Sequence, residues 1–167
     1  MEGSPKYARP EHERRFRIVA DQLPPLDPAA ARLIEDRYID GTRLRLRRLS
    51  GGGCETLLKL TRKYGGPRPE PIATLYLDAG EYALLSGLPG ALLVKHRHHL
   101  PVRDHWFAVD VFAGPLAGLM LCEIETDSAE ALTAIVLPAW AGAEVTDDPV
   151  FSGAALARAI EPPDFHR

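Results

Sequence analysis

Two pairs of glutamates stand out among the side chains that could do chemistry. Glu11 and Glu13 form one pair near the start of the chain, and Glu123 and Glu125 form another far along it. Residues two apart on a β-strand point to the same side, so each pair could present two carboxylates to one ion. Carboxylate oxygens are hard ligands that suit Mg²⁺ or Mn²⁺. The pairs predict a metal site, with Asp110 as a further candidate ligand.

Basic residues with the same spacing form a second set. The candidates for binding an anion are Arg15, Arg43, Arg45, Lys59, Lys63, Lys95 and Arg97. An arginine binds phosphate oxygens with two parallel N–H donors, and a lysine supplies a compact positive charge. A linear triphosphate carries roughly four to five negative charges near neutral pH. About six such cations, with one or two metal ions, would balance that charge together with the carboxylates. The pattern therefore favours a triphosphate ligand.

These side chains lie in segments whose apolar and polar residues alternate with the period of a β-strand. The alternation predicts strands at residues 11–19, 34–39, 42–49, 56–64, 72–77, 92–100, 106–113 and 119–126. Most are joined by short turns, so antiparallel pairing is the default expectation.

Three short helices are predicted as well. Asp78 can cap the first, and Glu81 completes a capping box with it. Ser128 can cap a second helix that ends near residue 136, and a third is expected at about residues 152–160. Prolines after the second and third helices prevent their continuation.

The charged strand faces allow two architectures. A polar face is most often the solvated side of a sheet, which would make this a plain β-domain used for protein contacts. Here, however, the faces are nearly single-sign, and like charges two residues apart repel each other. About eight strands can also close into a barrel that holds one small ligand. We therefore expect an α+β, mainly β fold: a closed eight-stranded antiparallel barrel with a charged interior, its apolar outside covered by the three flanking helices.

Length and composition suit one such domain. The chain has 167 residues and a net charge of −3, so no basic field suggests nucleic acid as a partner. No segment approaches the roughly 20 apolar residues of a membrane helix. Cys54 and Cys122 are isolated, as is typical of reduced thiols in the cytoplasm. We predict a disordered lead-in at 1–10, a single domain at 11–161, a tail at 162–167 and a cytoplasmic location; the oligomeric state is left open.

Read in order, the motifs resemble those of the CYTH family, also called triphosphate tunnel metalloenzymes. The segment Glu11-His12-Glu13-Arg14-Arg15 resembles the family signature Glu-x-Glu-x-Lys at the first strand. The later matches are Arg43-Leu44-Arg45, Leu60-Thr61-Arg62-Lys63 with Lys59 as an alternative to Lys63, Lys95-His96-Arg97, Asp110-Val111-Phe112 and Glu123-Ile124-Glu125. The resemblance covers nearly the whole chain after residue 10. It implies an eight-stranded tunnel that binds triphosphates and usually hydrolyses them with Mg²⁺ or Mn²⁺.

The resemblance implies roles for the two sets of residues. The metal ligands would be Glu11, Glu13, Glu123, Glu125 and Asp110, the catalytic residues Glu13 and Arg15, and the basic residues would bind inorganic tripolyphosphate. This chain departs from the family pattern in two places. Arg15 replaces the signature lysine, and Thr74 and Tyr76 stand where many members carry acidic residues. The departures favour one alternative, a non-catalytic polyphosphate or nucleotide sensor. A class IV-type adenylyl cyclase is a second alternative, since the same tunnel could act on a nucleoside triphosphate.

Overall fold

A computed structural model describes residues 5–164. Its strands are Arg9–Ile18 (β1), Arg32–Ile39 (β2), Leu44–Gly51 (β3), Leu57–Lys63 (β4), Glu70–Tyr76 (β5), Gly90–Val102 (β6), His105–Phe112 (β7), Met120–Thr126 (β8) and Ala141–Glu144 (β9). The helices are Ala79–Ser86 (α1), Ala129–Thr133 (α2) and Gly153–Leu156 (α3), with short 3₁₀ turns at Ala20–Gln22, Pro28–Ala30, Gly114–Leu116 and Pro149–Phe151. All eight predicted strands are confirmed within a few residues, and β9 was not predicted.

The first eight strands close on themselves. Hydrogen-bonded neighbours follow the order β5-β4-β3-β2-β6-β7-β8-β1, and β1 also pairs with β5. Each of these pairings is antiparallel, and the closing one places Glu11 opposite Glu70. The short strand β9 pairs with the end of β1, on the edge of β1 opposite to β8. Closure leaves no open edge between the eight strands. The predicted closed antiparallel barrel is therefore confirmed.

The helices begin where the sequence predicts, but two of them are shorter. Asp78 and Glu81 form the expected capping box at α1, with hydrogen bonds of 2.8 and 2.9 Å. The prediction that α2 extends to residue 136 is wrong, because the chain leaves the helix after Thr133 and buries Ile135 against the barrel. The predicted end of α3 at residue 160 is also wrong. After Ala157, backbone bonds to the third preceding residue replace the α pattern.

The outer face of one side of the barrel carries an apolar cluster. Its members are Phe16, Phe107, Val109, Cys122, Ile124, Ile135 and Trp140. The Phe107 and Trp140 rings meet edge to face, with centroids 5.5 Å apart. Connecting segments around Leu23 and Leu137 cover the cluster. The expectation that the three helices cover the outside is wrong for α3, which packs into the barrel interior, whereas α2 packs Leu132 against the outer cluster.

A second apolar cluster fills one end of the barrel interior. Leu93, Phe112 and Leu121 point inward from β6, β7 and β8 and meet Leu156 of α3. Arg15 fixes the chain just before α3 by donating a 2.7 Å hydrogen bond to the Phe151 carbonyl. The helix α3 therefore acts as a plug, and the polar part of the interior lies beyond it.

The ends of the chain modify the predicted boundaries. Residues 1–4 and 165–167 lie outside the described residues, so the predicted lead-in and tail are described only in part. The lead-in does not reach residue 10, because β1 begins at Arg9, which pairs with Ile72 when the barrel closes. The single domain at 11–161 stays a prediction. Within residues 5–164, none of the helices has the length and apolar character needed to cross a membrane.

The close packing of the plug helix α3 against Tyr38 gives a first prediction. A methyl group built on Gly153 would lie 1.9 Å from the Tyr38 hydroxyl oxygen, so Gly153→Ala must displace α3 or Tyr38. We expect a loss of about 1–3 kcal/mol in unfolding free energy by chemical denaturation. Gly87→Ala is the matched control, since its methyl would meet only the Leu84 carbonyl oxygen at 3.6 Å. Equal stability of the two variants would contradict the described seating.

Candidate active site

Side chains from all eight barrel strands line a central cavity of ≈ 270 Å³. The predicted site residues that line it are Glu11, Glu13, Arg15, Arg45, Lys59, Lys63, Lys95, Arg97, Glu123 and Glu125. The charged strand faces therefore turn into the barrel and not toward solvent. Such an interior is stable only where opposite charges, water or ligands compensate one another.

The strongest compensation joins β6, β7, β8 and β1. Asp110 is fully buried and accepts hydrogen bonds from Lys95 Nζ at 2.5 Å and from Arg97 Nε and Nη2 at 2.7 and 2.6 Å. Arg97 Nη2 also donates to Glu123 at 2.5 Å. Glu123 in turn accepts from Arg15, with Nη2 at 2.7 Å and Nε at 2.9 Å. Five charged groups thus form one continuous chain of ion pairs.

Burial and pairing act in opposite directions on these groups. Burial opposes the charged form of Glu123, but Arg15 and Arg97 outweigh it and hold its pKa well below the ordinary range. The same balance, with Lys95 and Arg97 as the partners, lowers the pKa of Asp110. Burial lowers the pKa of Lys95, and Asp110 offsets only part of that effect. The carboxylates are therefore firmly ionised at neutral pH.

The prediction of Asp110 as a metal ligand meets an obstacle in this geometry. Both carboxylate oxygens of Asp110 are engaged by Lys95 and Arg97, and Asp110 is not among the residues that line the cavity. In the observed contacts Asp110 acts as an anchor: it holds Lys95 and Arg97 in position on the side away from the cavity.

A second buried ion pair joins β2 and β3 on the other side of the barrel. Asp36 of β2 is 1% exposed and binds Arg47 through two hydrogen bonds of 2.6 and 2.7 Å. Arg45 lies 3.9 Å from the same carboxylate, and its buried Nε has no hydrogen-bond partner within the described residues. Sequence reasoning missed Asp36. The sequence does place Asp36 on the same face of a predicted strand as Ile34 and Tyr38, and a carboxylate between two apolar positions could have identified it.

The β1 glutamates are paired with cations of the β4–β5 hairpin. Lys63 Nζ lies 2.6 Å from Glu11 and 3.6 Å from Glu70. Arg68, in the loop between the two strands, lies 3.4 Å from Glu13. Neither Arg68 nor Glu70 was predicted. Arg68 sits in an irregular loop, where no periodicity could assign its direction.

Glu125 is the carboxylate without an ion-pair partner in the described part of the site. Burial and the negative charges of Glu11, Glu13 and Glu123 raise its pKa. This surplus of negative potential, from hard oxygen donors, fits a divalent cation. Within residues 5–164, however, no three His, Cys, Asp or Glu side chains are gathered as a metal centre. Two of the nearby glutamates, Glu11 and Glu13, are in contact with Lys63 and Arg68.

The remaining predicted residues differ in their placement. Lys59 and Lys63 both line the cavity, so the choice between them as ligand-binding residue stays open. Lys59 lies 5.0 Å from the centroid of the Tyr76 ring. Arg43 instead is exposed, donates to the Tyr64 carbonyl oxygen and does not line the central cavity, because β3 begins only at Leu44. Thr74, at a family departure, shares a 2.9 Å hydrogen bond with Thr61.

Fold and site define a class of protein: a closed antiparallel β-barrel whose interior holds interleaved carboxylates and cations. Comparison with known proteins narrows the class. The chain is 35% identical over 123 residues to an inorganic triphosphatase of Nitrosomonas europaea, a match that covers 72% of this chain and 78% of that protein. The chain therefore belongs to the family of that triphosphatase. No family model matches it.

Solved structures agree with this placement. The crystal structure of an inorganic triphosphatase matches with a TM-score of 0.60 and 28% identity, over 90% of this chain and 96% of that one. A putative adenylate cyclase from Bacillus halodurans matches with a TM-score of 0.56 over 77% of this chain and 86% of its own. At 14% identity, the second match shows a shared fold alone.

The buried ion pairs give a second prediction. Asp110→Asn leaves Lys95 and Arg97 buried beside a neutral partner, so we expect a loss of about 3 kcal/mol in unfolding free energy at neutral pH. Because folding lowers the pKa of Asp110, its stabilisation is present above the unfolded-state pKa and is lost as pH falls through the folded-state pKa. The difference between wild type and variant should therefore narrow in acid.

Asp40→Asn provides the control for this measurement, because the Asp40–Arg158 pair is solvent-exposed. We expect a change of about 0–1 kcal/mol there, with little dependence on pH. Similar losses in the two variants, or a gap that widens in acid, would contradict the assignment of Asp110 as an anchor.

Proposed function

We propose that this protein is a CYTH-type, metal-dependent triphosphatase that hydrolyses inorganic tripolyphosphate inside its barrel. One observation carries the proposal: a cavity inside a closed barrel, lined by interleaved arginines, lysines and glutamates, in a chain 35% identical to an inorganic triphosphatase. A barrel of this size accommodates one small ligand, and its cations suit phosphate oxygens.

Substrate binding would exchange internal ion pairs for pairs with phosphate. Arg45 has a buried Nε without a partner, and Lys59 has no carboxylate within salt-bridge distance in the described residues. Lys59 is therefore available without breaking an ion pair, and the ion pair that Arg45 has to give up is its 3.9 Å contact with Asp36. Arg15, Lys63, Lys95 and Arg97 are already paired, so phosphate oxygens would compete with carboxylates for their donors. We assign Arg45 and Lys59 the first contacts.

The proposed reaction is attack of water on a terminal phosphorus. The bond from that phosphorus to the bridging oxygen breaks, and orthophosphate and pyrophosphate are the products. Glu13 orients the attacking water and accepts its proton, while Arg15 and Arg97 stabilise the charge that develops on the phosphoryl oxygens. When bound, Mg²⁺ or Mn²⁺ supplies Lewis-acid polarisation of phosphate and water, and Glu11, Glu13, Glu123 and Glu125 are the residues that would hold it.

A binding-only sensor is the second candidate, and one observation favours it. Thr74 stands where many family members have an acidic residue, and it shares a hydrogen bond with Thr61 instead of presenting a carboxylate to that wall of the cavity. A sensor would bind tripolyphosphate and release no phosphate. A cytoplasmic location is part of the proposal and is supported by the two free thiols, Cys54 and Cys122.

The catalytic assignment is tested by Glu13→Gln. The amide keeps the size of the side chain but cannot accept a proton, so we expect phosphate release from tripolyphosphate to fall by about 100-fold or more. Wild type should release phosphate with Mg²⁺ or Mn²⁺ and stop when a chelator removes the ion. Thermal stabilisation by tripolyphosphate should survive in the variant.

Two outcomes would redirect the proposal. Wild-type activity in Glu13→Gln would remove Glu13 from the chemistry. Stabilisation of wild type by tripolyphosphate without phosphate release under either metal would select the sensor.

A neighbouring pair of arginines tests the mode of binding. Arg45 lines the cavity and Arg43 does not, although the sequence places both on one strand face. Loss of a charge-assisted hydrogen bond costs roughly 1.5–3 kcal/mol, so Arg45→Gln should weaken tripolyphosphate binding by about 10- to 100-fold. Arg43→Gln should change it by less than about threefold. Calorimetric titration measures both, and equal effects would contradict binding inside the barrel.

A further inference from the structure

Arg68 holds three different parts of the protein together at the rim of the barrel. Its Nε donates to Asp147 at 2.9 Å, its Nη2 donates to the Thr146 carbonyl at 2.8 Å, and its Nη1 lies 3.4 Å from Glu13. These groups border a chamber of ≈ 390 Å³ that shares Glu13 and Arg15 with the central cavity. A residue of the β4–β5 loop thus reaches the carboxylate to which we assign metal binding and catalysis.

The contact is one of two that the same hairpin makes with the β1 glutamates. Lys63, at the end of β4, pairs with Glu11, and Arg68, in the following loop, pairs with Glu13. Each glutamate therefore carries a positive charge supplied by the chain itself. A carboxylate oxygen that accepts from a guanidinium is less available to a metal ion, because the two cations compete for the same lone pairs.

Separating Arg68 from Glu13 costs little free energy on the arginine side. Its side chain is 34% exposed, and Asp147 is 86% exposed, so the guanidinium already lies largely at the solvent boundary. The Glu13 side chain is only 10% exposed and cannot leave the barrel wall. When the two separate, Arg68 regains water easily, whereas Glu13 keeps, among the described residues, only its 3.5 Å contact with Arg15, and a divalent cation can supply the positive charge that Arg68 takes away.

We propose that Arg68 is an internal counter-ion of Glu13 that a divalent cation must displace in order to bind this carboxylate. It is a positioning residue, since it acts through Glu13 and the loop. The inference rests on the proposed function for the identity of the ion. Arg68, in the β4–β5 loop, competes with the metal ion for Glu13, and this competition sets the metal concentration at which the site fills.

The test is calorimetric titration of Mg²⁺ and Mn²⁺ into the full chain without any phosphate. Removing the competing cation in Arg68→Gln should tighten metal binding by about two- to fivefold, which is the range of a partly exposed ion pair. Arg68→Lys, which keeps the charge, should stay near wild type. Arg14→Gln is the matched control for net charge, because Arg14 pairs with Glu144 outside the cavity.

A double-mutant cycle separates competition from a general change in loop structure. In a Glu13→Gln background, Arg68→Gln should no longer tighten metal binding, because the shared carboxylate is gone. Equal affinities of wild type and Arg68→Gln, weaker binding in Arg68→Gln, or an equal gain in Arg14→Gln would each overturn the inference while leaving the proposed function in place. Absence of metal binding in both wild type and Arg68→Gln would overturn the inference and the metal dependence of the proposed function together.

Discussion

Compensation of charge inside a closed barrel is the constraint on which the rest of this structure depends. Eight strands turn their charged faces inward. Burial removes the hydration of each charge, so each needs a partner that compensates for the lost free energy. The chain Asp110–Arg97–Glu123–Arg15 meets this need across four strands, and Asp36 with Arg47 meets it on the opposite wall. The apolar cluster under α3 then shields one end of the interior from water.

The same compensation of charge determines how such an interior can bind a ligand. Since most of its cations already hold carboxylates, the site does not offer an empty positive surface. A ligand with many negative oxygens, together with divalent ions, can take over both halves of the existing pairs: phosphate replaces carboxylate at the arginines and lysines, and metal replaces arginine and lysine at the glutamates. The free Glu125 and the partnerless Nε of Arg45 mark the two positions where this exchange would begin.

The strands and their facing could be predicted from the sequence because a period of two fixes both at once. The charged rows at Arg45, Lys95 and Glu123 thus reach the interior as expected. The placements that the sequence did not indicate have local causes. Arg43 shares the period but precedes the strand, Asp110 turns its carboxylate to its neighbours, and Arg68 lies in a loop without periodicity. The ends of α2 and α3 depend on tertiary packing of Ile135 and on 3₁₀ turns, which no local pattern encodes.

The central claim is that the interior of this barrel, and not its outer surface, receives the triphosphate. The most direct measurement is a crystal structure of Glu13→Gln, in which turnover is blocked, grown with tripolyphosphate and Mg²⁺. We predict density for three linked phosphate groups inside the barrel, with oxygens bound by Arg45 and Arg97 and with the internal ion pairs rearranged around them. Density on the outer surface, or an unchanged network around an interior without ligand at saturating tripolyphosphate, would contradict the account.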